Sequence, residues 1–541
     1  MDRIKPRQYL IFALAGLLLG GLMLLIQPHT FYMDADYYYA NGKNLANGSG
    51  MQESFLWNYL DSPKQLPHPA FTYWMPAASL IAGFAMRIFS NTSLMTARLP
   101  FVILYALVPP LTVYLSQKLS KNKAEALIAG CFALFAGYYL KFVTQVDSVG
   151  LYMLAGSVLF MLLANETSRF HVQIHPAIRW LIVGATAGVI HLSRADGLLW
   201  CVLIGGIIVF RFIRYRKILR NPGASDWLEK LILPAGLAAA GYLSVTGFWY
   251  LRNLQTFGSL LAPGGGAALW LTNYNQTFTF HPEELNMNHW LASGAGAILK
   301  VRLNSLFSNL ATGVGVEGLV LLVPFFVVGL RKNWNESILR IAAGFWLVIF
   351  LIMTFIFPFA GARGGFLHSS AGFQPLIWAV SASGFSAVFD WGSRKKMWML
   401  KAAWKMFSIE LVTILAVITL VFGAGIGQKL VKMDQVVYPS AETYRAIAAA
   451  MDQNAGIPSD IVLINNPPAY SAATERSAIV IPEGDAKESL SAADQFHAGW
   501  LVLDENHVAG LTEMYLKAAS TERFEYITTI DGNQIYRIQS R

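Results

Sequence analysis

The sequence predicts an α-helical polytopic membrane protein of about 11 spans, followed by a small C-terminal α/β soluble domain. Three observations carry this. Of 541 residues, 55% are hydrophobic and only 13% are charged, roughly half the charged share of a soluble domain. The apolar residues come in unbroken blocks of roughly 15–25, the length of a helix that crosses a ~30 Å hydrocarbon layer. The charge is also divided: residues 1–433 hold 34 Lys and Arg against 17 Asp and Glu, and residues 434–541 hold 7 against 15. A basic membrane body thus precedes an acidic tail of soluble composition. A soluble enzyme, a disordered chain and a fibrous protein are excluded, and runs that do not alternate argue against an outer-membrane barrel. The basic excess follows from topology and implies no nucleic-acid partner.

The expected spans are 8–27, 97–117, 124–140, 149–165, 179–193, 197–213, 231–251, 306–330, 338–358, 370–389 and 406–427. The first follows Arg3, Lys5 and Arg7 and precedes no small-residue cleavage site, so it reads as an uncleaved anchor. Cytoplasmic loops concentrate Lys and Arg. With the N-terminus inside, the inner segments carry 22 of the 41 Lys and Arg, and the outer loops of the membrane body carry 10. Residues 70–89 could also span, but that would invert every later loop, so they are placed in the outer interface. The chain then reads as a multi-pass protein of the cell (inner or plasma) membrane, with the C-terminal domain outside. Cys131 and Cys201 lie in apolar runs and form no disulfide framework.

The outer loops collect the unusual residues. Asp34 and Asp36 follow the first span within about two turns, amid Tyr32, Tyr37, Tyr38 and Tyr39. Carboxylates this close to hydrocarbon are costly unless they face a polar cavity or a partner, although any loop must carry polar groups. Asp147 lies in a short outward turn. Arg194 and Asp196 lie in another, and a local ion pair capping a helix hairpin is the plainer reading of Asp196. Arg252 and Asn253 open the loop after the seventh span. Arg363 sits among Gly361, Gly364 and Gly365, with His368 nearby. Glycines let backbone N–H groups approach an anion, and a guanidinium fork suits a phosphate. Glu317 lies inside an expected span beside Gly313, Gly315 and Gly318, which suggests helix packing or a cavity wall. The outer edge therefore offers carboxylates for a general base and arginines for the phosphate of a lipid carrier. There is no Cys/His metal spacing and no Walker-type loop, and the 423–427 glycine run reads as helix packing.

These residues resemble the GT-C fold glycosyltransferases, near the family 39 and 83 group of protein O-mannosyltransferases and the lipid A aminoarabinose transferase. The resemblance rests on Tyr32-Met33-Asp34 after the first span, His68-Pro69 before Tyr73-Trp74, and Ala97-Arg98-Leu99-Pro100 opening the second span. It continues with Asp147, the Ser193-Arg194-Ala195-Asp196-Gly197 segment and Arg252-Asn253, over about the first 260 residues. It implies an enzyme that moves a sugar from a polyprenyl-phosphate to an acceptor hydroxyl on a glycan, lipid or protein, usually with inversion. By the same resemblance Asp34 is the catalytic base and Asp147 a second acid near the donor, orienting His68 or a metal. Arg194, Arg252 and Arg363, with His68, are the candidates for the donor phosphate. The family's Asp-Glu pair is Asp34-Ala35 here, and its His-Pro-Pro ends in Ala70. The choice between Asp34 and Asp36 therefore stays open, no cofactor is assigned, and a divalent metal is left open.

In the tail, runs at 461–464, 478–481, 500–503 and 526–529 read as strands, and 441–451, 487–495 and 510–519 as helices, with a turn at Asp531-Gly532-Asn533. Asn465, Asn466 and Pro467-Pro468 follow a strand, where open α/β sheets bind ligands; an ordinary turn is the plainer reading. Two other functions compete with a glycosyltransferase. One is a transporter or lipid flippase, which predicts repeats and mid-bilayer charges. The other is an inactive relative serving as an assembly subunit.

Overall fold

The structure is a computed structural model that describes residues 4–164, 168–170, 173–218, 223–397, 399–423, 439–457, 459–521 and 523–539. The expected boundary at 433–434 and residues 424–427 of the glycine run lie outside them. The chain divides into two compact units. The first comprises Met1–Gln27, Arg98–Arg252 and Arg302–Lys432; the second comprises Pro28–Ala97, Asn253–Val301 and Met433–Arg541.

The first unit is helical. Among the described residues of the chain, seven helices are long and apolar enough to cross a membrane: Pro6–Ile26, Leu94–Ser120, Pro176–Ser193, Ala195–Lys217, Ser225–Phe257, Ser337–Ile356 and Ala402–Val421. Lys123–Leu134 and Gly137–Val143 make an eighth if the pair, bent by 45°, counts as one span. Three expected spans take other forms. Residues 149–165 give the 15-residue helix Val149–Leu163, a rise of only ~22 Å. Residues 370–389 give Gln374–Arg394, whose buried Gln374, Ser381, Ser383 and Ser386 dilute its apolarity. Residues 306–330 are broken. Gly294–Thr312 ends in a π turn at Gly313–Glu317, and Val323–Lys332 starts afresh with Pro324 in its first turn. Hydropathy alone does not register such a break, because Gly and Pro interrupt a helix without lowering its apolar content.

Helices in this unit approach closely where glycines meet. A Cβ on Gly384 would lie 1.7 Å from the Phe325 carbonyl oxygen, and one on Gly329 would lie 2.0 Å from that of Val380. These paired bare backbones let Val323–Lys332 pack along Gln374–Arg394.

The second unit is built around a six-stranded mixed sheet. In chain order, β1 (Gln52–Glu53) and β3 (His68–Pro69) form a separate two-stranded hairpin. β2 (Phe55–Leu56), β4 (Ile461–Ile464), β5 (Ala478–Val480), β6 (Ala498–Leu503), β7 (Phe524–Ile530) and β8 (Asn533–Ile538) form the sheet, in the order β2-β5-β4-β6-β8-β7. β2, β5, β4 and β6 run parallel, and β8 and β7 complete the sheet antiparallel. Its edge strand β2 thus comes from the first loop, more than 400 residues from its partner. Alternation divides the faces. Leu463, Leu501 and Leu503 pack with Leu56, Tyr59 and Phe280 on one side; Val462, Ile464, Trp500 and Val502 pack with Tyr444, Ile447 and Tyr470 on the other. Asp531 and Gly532, both at positive φ, close the β7–β8 hairpin where the sequence predicts a turn.

Where a turn is the plainer expectation, residues Pro467–Thr474 form a helix capped by Asn466. Residues 70–89 contain the 12-residue helix Ala77–Ile88, whose ~18 Å rise does not cross a bilayer. It packs on the helix Met33–Ala46, where a Cβ on Gly83 would lie 2.9 Å from the Gly42 carbonyl oxygen.

Close packing through glycine predicts a sharp contrast between two substitutions. Gly384→Val meets fixed backbone and should lower the thermal midpoint, by a loss of at least ~1–3 kcal/mol. Gly205→Ala has nothing within 4 Å of the new Cβ and should be neutral, or stabilising by up to ~1 kcal/mol. Thermal unfolding in detergent checks both.

Candidate functional site

In the second unit the helix Met33–Ala46 starts just after the first span and carries both Asp34 and Asp36 in its first turn. Anionic side chains are favoured there by the helix dipole and the open backbone N–H groups. The two carboxylates differ in surroundings. Asp34 is half-buried and Asp36 is buried. Thr30 Oγ1 donates to Asp36 Oδ1, and Asn466 Nδ2 donates to Asp36 Oδ2 at 2.9 Å. Asn466, itself fully buried, also caps Pro467–Thr474 by accepting from Ala469 N at 3.2 Å. About two helical turns further on, Lys43 Nζ bonds Glu475 Oε1 at 2.8 Å and donates to the Ala472 carbonyl at 3.1 Å. Burial raises the Asp36 carboxyl to about 6; the Thr30 and Asn466 bonds oppose this and the Asp34 charge adds to it.

His68 lies on the β1–β3 hairpin, opposite Glu53 in register. Its Nε2 is 3.1 Å from Asp61 Oδ2, and its Nδ1 is 3.9 Å from Glu53 Oε1. Burial pulls the imidazole down, but the two carboxylates outweigh it and raise His68 to about 9. Burial raises the Glu53 carboxyl, against the pull of His68, Asn41 and Tyr37. Asn41 Nδ2 reaches Glu53 Oε2 at 3.3 Å, so the charged cluster grips the helix that carries Asp34. The positive charge of His68, expected with the phosphate-binding residues, is thus shared between two carboxylates.

In the first unit Asp147 is buried. Its Oδ1 accepts from Ser148 Oγ and Val149 N, each at 3.3 Å, and lies 3.5 Å from His368 Nδ1. The histidine beside Asp147 is therefore His368. Two such donors fall short of a metal set, and among the described residues no group of three or more His, Cys, Asp or Glu could hold a metal; no step is routed through one. Arg194 Nε bonds Asp196 Oδ1 at 2.9 Å, the local ion pair expected as the plainer reading, and its Nη2 reaches the Gly365 carbonyl at 3.4 Å. Asp196 Oδ2 also accepts from Tyr152 OH at 3.5 Å, and Trp200 Nε1 steadies that hydroxyl at 3.0 Å. Arg194 is thereby joined to the Gly361–Gly365 turn, where Arg363 is exposed and Gly364 takes a φ of +107°. Arg252, in the last turns of its helix, packs its guanidinium 5.2 Å from the Trp249 ring centre. Glu317 is buried and accepts from Trp346 Nε1 at 2.8 Å.

Two residues carry more than the sequence assigns them. Asn466 reads there as a position after a strand, for a ligand or an ordinary turn; no local pattern ties it to a carboxylate 430 positions away. Arg98 appears in the Ala97–Pro100 motif without a role. It is buried, donates from Nε to the Thr144 carbonyl at 2.7 Å and from Nη1 to the Gln27 carbonyl. It therefore binds the end of the first span to the segment that leads into Asp147. A lone Arg opening an apolar run was the available signal.

The chain resembles solved structures, among them these three. The oligosaccharyltransferase of Archaeoglobus fulgidus, solved with Zn and sulfate, matches with a TM-score of 0.55 at 13% identity, over 96% of this chain and 72% of that one. AglB of the same organism, in complex with an inhibitory peptide and a dolichol-phosphate, matches at 0.51 and 14%, over 98% and 74%. ArnT from Cupriavidus metallidurans, bound to undecaprenyl phosphate, matches at 0.55 and 13%, over 98% and 97%. No family model matches the chain, and no curated protein matches it. The chain has the GT-C fold of membrane glycosyltransferases.

The perturbed groups give opposite pH signatures. Asp36 holds its proton more tightly folded than unfolded, so its contribution to stability is greatest below about pH 4 and is lost by about pH 6. Asp36→Asn should therefore gain on wild type in thermal midpoint as pH rises from about 4 to 7. His68 contributes fully below about pH 6.5 and loses its contribution as pH rises through about 9. His68→Gln should be less stable than wild type at pH 6, and the gap should close near pH 10. Parallel profiles would refute either assignment.

Proposed function

We propose that the chain is an integral-membrane glycosyltransferase. It moves a sugar from a polyprenyl-phosphate donor to an acceptor hydroxyl on the outer face of the cell membrane, with inversion. The observation that carries this reading is the position of the half-buried Asp34 carboxylate. It stands at a helix N-terminus directly after a membrane helix, in a chain that matches ArnT over nearly the whole length of both. The binding of undecaprenyl phosphate by that structure and of dolichol-phosphate by AglB supports a lipid-linked donor here.

Asp34 takes the proton of the acceptor hydroxyl. The acceptor oxygen attacks the anomeric carbon, the bond from that carbon to the phosphate oxygen breaks, and the polyprenyl phosphate leaves. Arginines improve such a leaving group by stabilising its growing charge. Arg194, Arg363 and Arg252 are the candidates for this. Asp147 with His368 forms a second acid–imidazole pair for orienting the donor. Asp36 is tied on both oxygens and serves to hold the helix that presents Asp34.

The same reading places residues 434–541 on the extracytoplasmic side and the N-terminus in the cytoplasm. Strand pairing supports it, because β2 and β5 put the first loop and the C-terminal region on one side. The Glu483 N–H bond to the Phe278 carbonyl adds the long loop after the seventh expected span. An even number of crossings must separate these segments, as the lysine and arginine bias also requires.

Purified protein incubated with radiolabelled polyprenyl-phosphate sugars should release label from the lipid. Asp34→Asn should lower the rate by roughly 10²–10⁴-fold, and Asp36→Asn should retain more activity than Asp34→Asn. Full activity in folded Asp34→Asn, Asp36→Asn and Asp147→Asn proteins would overturn the assignment.

A further inference from the structure

The break in the 306–330 run surrounds a buried acid that the proposed reaction does not use. Glu317 ends the π turn, and just beyond it Leu319 and Val320 take φ values of +47° and +55°. That region disfavours β-branched side chains such as Val. Glu317 is 3% exposed. Trp346 Nε1 donates to its Oε2 at 2.8 Å, while its Oε1 is buried without a hydrogen-bond partner among the described residues. Gln374 Nε2 donates to the Glu317 backbone carbonyl at 2.9 Å, and Gln374 Oε1 is likewise buried and without a partner. The Ser370 hydroxyl lies beside the Glu317 carboxyl. Tyr139 OH lies 3.4 Å from Ser370 Oγ and donates to the Leu367 carbonyl at 2.9 Å. No Lys, Arg or His among the described residues forms an ion pair with Glu317.

An uncompensated carboxylate in a protein interior is expensive. Around this one the structure gathers oxygens: a buried carboxylate oxygen and a buried amide oxygen that lack a hydrogen-bond partner, and the Ser370 and Tyr139 hydroxyls, whose protons go to the Leu367 carbonyl. We propose that this cluster binds a monovalent alkali cation. A proton would satisfy Glu317 Oε1 alone, whereas a cation engages Oε1, Gln374 Oε1 and the Ser370 hydroxyl together. Hard oxygen donors select an alkali or alkaline-earth ion. A single carboxylate balances one positive charge, and a divalent ion would leave a buried excess. Broken helices also expose backbone oxygens to Na⁺ in secondary transporters.

The test is thermal unfolding of the full chain in detergent, with choline chloride replaced by NaCl at constant ionic strength. Wild type should gain a few degrees, saturating with Na⁺. Glu317→Gln, nearly isosteric, should show no such gain, and Ser370→Ala should need more Na⁺ to reach it. Equal midpoints in choline and Na⁺ for wild type would overturn the proposal, as would a gain that persists in Glu317→Gln. An infrared band of a protonated carboxyl in NaCl that disappears in Glu317→Gln would show that a proton occupies the site, and would also overturn it. Should Glu317→Gln fail to fold, Ser370→Ala decides: an unchanged Na⁺ requirement refutes the site.

Discussion

The buried carboxylate of Asp36 is the constraint on which the second unit depends. An ionised carboxylate away from water needs donors on both oxygens, and here they come from Thr30 and from Asn466. Asn466 in turn caps the Pro467–Thr474 helix. One interaction therefore fixes where the first-loop helix starts and where a C-terminal helix starts. The parallel pairing of β2 with β5 and the Lys43–Glu475 ion pair run alongside it. Asp34, two residues away on the same helix turn, shares that rigid mount and is half-buried where Asp36 is buried.

Three other charged side chains follow one rule: each is met locally by opposite charge or by backbone oxygen. His68 stands between Asp61 and Glu53. Arg98 binds the carbonyls of Thr144 and Gln27, and Arg194 binds Asp196 and reaches Gly365. Truncating either partner of such a pair strands the other, which costs more than the pair is worth. The ion pair of Arg194 also has a positive consequence. Asp196, steadied by Tyr152 and Trp200, holds the guanidinium stem at Nε and fixes the direction of the fork.

Glu317 departs from the rule. Trp346 donates to it and the Ser370 hydroxyl lies beside it, but among the described residues no Lys, Arg or His pairs with it, and the Gln374 amide oxygen is likewise buried without a partner. It also lies where a helix is broken and two residues take left-handed backbone. Unmet polarity and strained backbone in one place are the usual marks of a site and not of packing.

Much of this was determined by the sequence alone. Apolar runs of membrane-crossing length, a Lys and Arg bias between alternate loops and a charge reversal near 433 define a polytopic body with a soluble tail, because each reflects a local cost of solvation. The β7–β8 turn was legible in Asp531-Gly532-Asn533, since positive φ selects such residues. The Asp34–Asp36 pair and the Arg194–Asp196 pair were legible because their members are neighbours in the chain. Only tertiary structure decided the rest. The break at 313–322 lies in a run whose hydropathy is unbroken. Nothing near Asn466 announces Asp36, and nothing near residues 55–56 announces the edge of a sheet formed 420 residues later. Hydropathy and periodicity report the solvent each residue prefers. They do not report which distant partner satisfies a buried donor or acceptor, as Asn466 does for Asp36.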